Sequence, residues 1–302
     1  MLLRQVETGG VRSLAAAELR EFGLLYRQAA ADLSATRADQ GSRAIETYLN
    51  RLVGRAHNYV YSGSKVSLRS LWNFMAHGYP RLLRRLSGYV VVATAVFAFG
   101  LALGSGVVAV RPQVGEMLMG QKTLDDLDHG KLWTESILTA KPQTSSAIMT
   151  NNMTVCFLTF ASGVTAGLFT LWLLFSNGLH IGAIAVVCAR HHMALSLFSF
   201  MAAHGALEIP AIMLAGAAGL RLGAGILFPG MLRRRESIAV GGSEAVQLVS
   251  ATIPLLIVAG TFEAFLSPTH VPVALKFAVC AVLFTGLCFW LGEGGRKTVA
   301  SE

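Results

Sequence analysis

His204, Glu208 and Glu263 are the residues of this chain whose types and spacing can do chemistry. The stretch His204-Gly-Ala-Leu-Glu208-Ile-Pro210 sets an imidazole and a carboxylate four positions apart, so on a helix both project from one face. Pro210 has no N–H to offer the carbonyl of Ala206, which predicts a free acceptor one turn back. Glu263 is the lone acid in the apolar run 257–265. Ionisable groups at membrane depth are costly, and they are kept where they line a seam between helices, a water-filled cavity or a site. Four uses fit an imidazole and two carboxylates. They can be hydrogen-bonded glue between helices, a proton or ion relay, a divalent-metal shell of His204, Glu208 and Glu263, or a Glu-activated water for hydrolysis. No HExxH, GxSxG or Ser-Lys arrangement accompanies them, so no enzyme motif supports the last. No catalytic residue and no cofactor are expected, and a metal is expected only if those three side chains converge.

The elements that must position these residues are membrane helices. Of 302 residues, 53% are hydrophobic and 14% charged, with a mean hydropathy of +0.54. Apolar runs of the length that a bilayer core requires lie near 88–110, 153–175, 206–228, 246–266 and 273–291. A further apolar stretch, 178–203, is interrupted by Arg190-His191-His192. It reads either as one long helix or as a half-helix and re-entrant piece hinged there. The expected fold is all-α: a polytopic helical membrane protein with about six membrane segments. Its parts are a basic cytoplasmic helical domain over 1–86, a transmembrane domain over 87–292 with an outer loop at 111–152, and a cytoplasmic tail at 293–302.

Charge placement sets the orientation. The net charge of +8 is concentrated in residues 1–86, which hold thirteen Lys/Arg against six Asp/Glu. Basic juxtamembrane segments are held at an anionic lipid surface, so this excess calls for a bilayer rather than nucleic acid as partner. Arg81, Arg84 and Arg85, then Arg233-Arg234-Arg235, then Arg296-Lys297 place both termini inside. Six crossings of the inner (plasma) membrane satisfy all three. His204, Glu208 and Glu263 then lie at similar depth in the outer half. Arg190, His191 and His192 are outer-side contributors, as is His270. Arg221 can snorkel toward the surface or pair with an acid, of which snorkelling is the expected use, and Lys276 is expected to snorkel likewise. The four cysteines show no CxxC or Cys/His spacing and read as small buried hydrophobes.

Two motifs of small residues predict close helix packing: Gly100-xxx-Gly104, and Ala211-xxx-Ala215-xxx-Gly219-xxx-Gly223. They can serve the same chain or a homo-oligomer, and the intramolecular use is favoured. Before the membrane, Leu14, Leu19, Phe22, Leu25, Tyr26, Ala29 and Leu33 recur at helical steps over about 12–38. Ile45, Tyr48, Leu49, Leu52, Val53 and Ala56 mark a second helix, and the two predict a hairpin broken at Gly41-Ser42 and ended at Ser62-Gly63-Ser64. Ser67 is an N-cap candidate for a short aromatic segment suited to the headgroup interface. Gly78-Tyr79-Pro80 is expected to restart the chain. The N-terminus lacks an apolar core of signal-peptide length.

One ordered set of motifs resembles a known family. Tyr48-Leu-Asn50, Arg55-Ala-His57, Gly78-Tyr-Pro80-Arg81, Asn177-Gly178, His204-Gly-x-x-Glu208, Pro210-Ala-x-x-x-x-Gly216-x-x-Gly219 and Ala259-Gly-x-x-Glu263-Ala-x-x-Ser267-Pro268 resemble the stage II sporulation protein M family, over about residues 20–292. The resemblance implies a multispan membrane protein and marks His204, Glu208 and Glu263 as characteristic positions. In spore formers such proteins cooperate with peptidoglycan-cutting partners during engulfment, and similar ones occur in non-sporulating bacteria and archaea. The function this implies is a non-enzymatic scaffold that recruits membrane or envelope proteins through its helical hairpin and outer loop. The alternatives are a transporter or channel-like protein using the His/Glu cluster, and a metal-dependent intramembrane hydrolase.

Overall fold

A computed structural model describes residues 1–36, 43–60, 67–132, 141–266 and 271–293. They form helices, with no strand among the described residues. The chain divides into two compact units, Met1–Leu71 and Trp72–Glu302.

In the first unit, α1 (Leu2–Gly9) joins α2 (Ala16–Thr36) and α3 (Arg43–Val60), which pack on each other as the expected hairpin. Glu18 accepts the Ala15 N–H at 2.8 Å and so opens α2. Val6, Leu14, Phe22 and Ala56 form the core. Sequence reading missed α1, whose Glu7 makes a two-point ion pair with Arg55 on α3, both bonds 2.8 Å. That hydrogen bonding holds the Glu7 carboxyl below the ordinary glutamate range. Leu19, Leu25, Ile45 and Tyr48, expected inside, are exposed. A unit this small cannot enclose the apolar faces of both long helices. The expected breaks at Gly41-Ser42 and Ser62-Gly63-Ser64 lie outside the described residues.

At the end of the first unit, Ser67 caps α4 (Leu68–Asn73) by accepting the Ser70 N–H at 3.0 Å. A π turn (Phe74–Gly78) and α5 (Tyr79–Arg85) follow, so the chain stays helical through Gly78 rather than restarting. Pro80 falls in the first turn of α5, where its missing N–H costs little. Tyr79 is fully buried, stacks on Trp290 at 5.3 Å and donates to the Leu248 carbonyl at 3.0 Å. Burial pushes its phenol well above the ordinary range, so it remains a donor. Trp290 in turn donates to the Met75 carbonyl at 2.9 Å.

The membrane-type helices are α6 (Ser87–Val110), α9 (Lys141–Ala161), α10 (Leu168–Arg190), α11 (Ala194–Leu227), the pair α12 (Arg234–Ser250) and α13 (Thr252–Phe265), and α14 (Val273–Glu293). Short helices α7 (Pro112–Met119) and α8 (Gln121–Asp128) follow α6. Among the described residues, five segments are long and apolar enough to cross a membrane: Ser87–Val110, Leu168–Arg190, His204–Leu227, Arg234–Glu263 and Val273–Gly292. The sixth long helix, α9, has the length but carries Thr150, Asn151, Asn152 and Thr154. The 204–227 window is 56% buried against 11% for 273–292, so α11 is the central helix and α14 a peripheral one. Phe99, Trp172 and Phe289 stand exposed on the bundle's outside, as lipid-facing side chains do.

Two expected spans are redrawn. The apolar run 153–175 is divided by a 3-10 turn (Ser162–Thr165) and by Ala166 and Gly167, both in left-handed conformations. Ser162 donates to the Thr159 carbonyl at 2.8 Å and meets the Thr170 hydroxyl at 2.9 Å. Thr170 donates to that same carbonyl at 3.0 Å, so hydroxyls close the turn that hydropathy does not register. The stretch 178–203 is the end of α10 and the start of α11, with a turn at 191–193 in which His192 has φ +58. The hinge falls where the polar triplet placed it, but the preceding helix is a full 23 residues. Pro210 is carried inside α11, which runs on for 34 residues.

Candidate functional site

α9 and α13 both pack on α11, and Glu208, one turn beyond His204, reaches α9. The Leu207 side chain is buried with Ala259 of α13 and Leu287 of α14, which brings the turn bearing Glu208 against the helix bearing Glu263. His204 is 5% exposed and lies edge-on to Phe200 at 5.3 Å. Glu208 is partly buried, and its Oε1 accepts the Asn152 side-chain amide of α9 at 2.7 Å. Glu263 is 2% exposed and within electrostatic reach of Glu208. Its Oε2 is buried without a hydrogen-bond partner among the described residues. Cys156, one turn beyond Asn152, is buried and also within reach of Glu208. Three helices thus deliver an amide and two carboxylates to one region. Among the described residues no group of three or more His, Cys, Asp or Glu side chains is placed to hold a metal ion.

The other expected contributors are engaged elsewhere. His191 Nδ1 meets Asp128 of α8 at 2.8 Å, and Arg190 donates to the Ala109 carbonyl at the end of α6 at 3.2 Å. His192 forms the turn itself. The triplet therefore ties α10 to the segment after α6, and no contact joins it to Glu208 or Glu263 among the described residues. His270 and Ser267-Pro268 lie outside the described residues.

The small-residue motifs are used within the chain. A methyl on Gly100 or Gly104 would strike the carbonyls of Phe175 and Leu179 on α10. One on Gly178 or Gly182 of α10 would strike those of Phe97 and Leu101. Ala215 is fully buried in the core, Gly219 backs onto Thr159 and Thr170, and Gly223 fits against Ala166. Arg221 departs from the snorkelling expected of it. Its Nε bonds Glu244 Oε2 of α12 at 2.6 Å, Glu244 Oε1 holds Arg85 at 2.6 Å, and the guanidinium lies 6.0 Å from the Tyr89 ring centre. Lys276 is likewise buried, at 7% exposed.

The family model for Stage II sporulation protein M matches residues 93–268, more than half of the chain. The chain belongs to the Stage II sporulation protein M family. The matched range takes in α6 through Glu263 and so contains the three helices that build the site, together with the Asn177-Gly178, HGxxE and GxxEAxxSP motifs. Tyr48, Asn50, Arg55 and His57, read as part of the same resemblance, fall instead within a second match over residues 1–62, to a domain of unknown function (DUF8413). No curated protein and no solved structure matches the chain. Sequence reasoning missed Asn152 because it assigned residue 152 to the loop 111–152, whereas α9 begins at Lys141. It missed Glu244, whose only signal is an acid in a stretch otherwise free of positive partners, and the Gly178-xxx-Gly182 pair that answers Gly100 and Gly104.

Proposed function

We propose that this family member is a non-enzymatic scaffold in cell-envelope organisation, recruiting a membrane or envelope protein through its N-terminal unit. The observation that carries this reading is a cleft of about 500 Å³ in that unit. Leu3, Phe22, Leu25, Leu52 and Val53 line it, with Glu21 and Asp32 among its polar residues. An apolar cleft of this kind accepts the apolar face of a partner helix. A separately matched unit joined to a membrane domain also suits recruitment. The plasma membrane is the proposed location, with both termini cytoplasmic, supported by Arg81, Arg84 and Arg85 before α6 and Arg233, Arg234 and Arg235 at the start of α12. Cross-linking in living cells tests the recruitment. A photo-reactive residue at Val53 should yield a discrete protein adduct, absent when the same residue replaces exposed Arg51 and lost in Leu25→Glu. Equal adducts from both positions would remove the proposal. The second reading, ion-coupled transport, is favoured by the buried Glu263. It requires that Glu208→Gln and Glu263→Gln stop flux in proteoliposomes while leaving the Val53 adduct intact.

A further inference from the structure

We propose that Glu208 and Glu263, with Asn152 beside them, form a binding site for one monovalent cation, a proton or a sodium ion, inside the helix bundle. The site is independent of the scaffold reading. Its first support is the Glu263 side chain, 2% exposed and with an oxygen that has no partner among the described residues. Other buried polar groups of the bundle are answered: Tyr79 by Leu248, Ser237 by Gly225, Thr252 by Val249, and Ser162 and Thr170 by Thr159. An orphan in so complete a network marks a place kept for something else. The second support is the pair itself. Glu208 spends one oxygen on Asn152, and its charge acts on Glu263. Two neighbouring carboxylates at membrane depth repel each other and each costs several kcal/mol to desolvate, so one positive charge between them relieves both penalties. The third is the donor set. Two carboxylates are hard oxygen ligands suited to a proton or an alkali cation, and the Asn152 amide N–H, donating to one of them, holds it in place.

The other titratable groups buried on the helices packed here are Cys156 of α9, His204 of α11 and Lys276 of α14, and His204 and Lys276 have interactions of their own.

Dicyclohexylcarbodiimide, a lipid-soluble reagent that modifies protonated carboxyls, tests the site on the full chain in liposomes, with mass spectrometry to map the adduct. The expected result is labelling at Glu263, absent in Glu263→Gln. Two arms separate the cations. Protection by sodium chloride but not choline chloride identifies sodium. Labelling indifferent to sodium, and slowing about tenfold per pH unit on the alkaline side, identifies a proton. Glu208→Gln should shift that pH profile or weaken sodium protection by about tenfold, since it removes one of the two charges. If Glu263→Gln fails to insert, the wild-type and Glu208→Gln comparison decides alone. Absence of labelling at Glu263 across the pH range overturns the proposal, because the charge is then answered within the protein. An unchanged profile in Glu208→Gln also overturns it.

Discussion

Glu244 holds two arginines at once, Arg85 and Arg221, each at 2.6 Å. Arg221 and Glu244 are both only 16% exposed in their side chains, whereas Arg85 is 64% exposed. The two bonds therefore differ in worth. The Arg85 contact is screened by water and contributes little. The Arg221 contact is a charge-assisted bond between half-sequestered groups, of the order of 2 kcal/mol. Glu244→Gln should lower the thermal midpoint of the detergent-solubilised protein by a few degrees, consistent with a loss of about 2 kcal/mol. Arg85→Gln should shift it by less than a third as much. Equal effects from both would mean that the bridge acts as one unit. Of the six residues picked for chemistry from sequence alone, Glu208 and Glu263 lie within electrostatic reach of each other, His204 lies one turn before Glu208, and Arg190, His191 and His192 are engaged elsewhere. Glu208 and Glu263 come within electrostatic reach because each lies in an apolar run that has to be helical, and the two helices pack on each other. His191, His192 and Arg190 were grouped with them by sidedness, which says how deep a residue lies but not which neighbour it has.

Among the elements, α6 and α10 make the tightest seam, and glycine is the reason. Gly100 and Gly104 receive the Phe175 and Leu179 carbonyls, while Gly178 and Gly182 receive those of Phe97 and Leu101. Ser105 donates across it to the Gly182 carbonyl at 3.2 Å. Without a hydrophobic drive between helices in lipid, such backbone approach is what joins them. Gly104→Val should cost about 3 kcal/mol or prevent folding, since the obstruction is a carbonyl that no rotamer change can move. Gly106→Val, at a glycine with open space around it, should be neutral in the same thermal-melt assay. Half of this seam was legible. GxxxG in the first span announced a close partner but not its identity, because the answering Gly178-xxx-Gly182 opens the interrupted stretch 178–203, whose path the sequence left open. The boundary at 162–167 was hidden for a related reason. Its hydroxyls bond backward to the chain's own carbonyls and so pass as apolar-compatible residues in a window average.

At the scale of the whole molecule, the long helical segments among the described residues, α6, α9, α10, α11, the α12–α13 pair and α14, alternate in direction if each turn reverses the chain. Cysteine labelling checks this. In a background lacking Cys156, Cys188, Cys280 and Cys288, Gly130→Cys should react with an impermeant maleimide added outside intact cells, and Arg51→Cys only after lysis. Reaction of Gly130→Cys only after lysis would invert the orientation and move Glu208 and Glu263 to the opposite leaflet. The helical membrane class was legible from apolar length, since only helices satisfy their backbones in lipid, whereas five described segments rather than six have the length and apolarity to cross. The N-terminal unit was legible only in part, because α1 is held by contacts distant in sequence, Val6 in a core with Phe22 and Ala56. The α6–α10 seam also bears on the protein's mutational history. The nearest neighbour of each glycine is a main-chain carbonyl, with the Ser105 hydroxyl a second neighbour only at Gly182, so trimming a side chain cannot clear the way for a substitution. Suppressor screens started from Gly100, Gly104, Gly178 or Gly182 should return reversions of the original codon and no compensating change on the opposite helix, which leaves this seam nearly unable to drift one residue at a time.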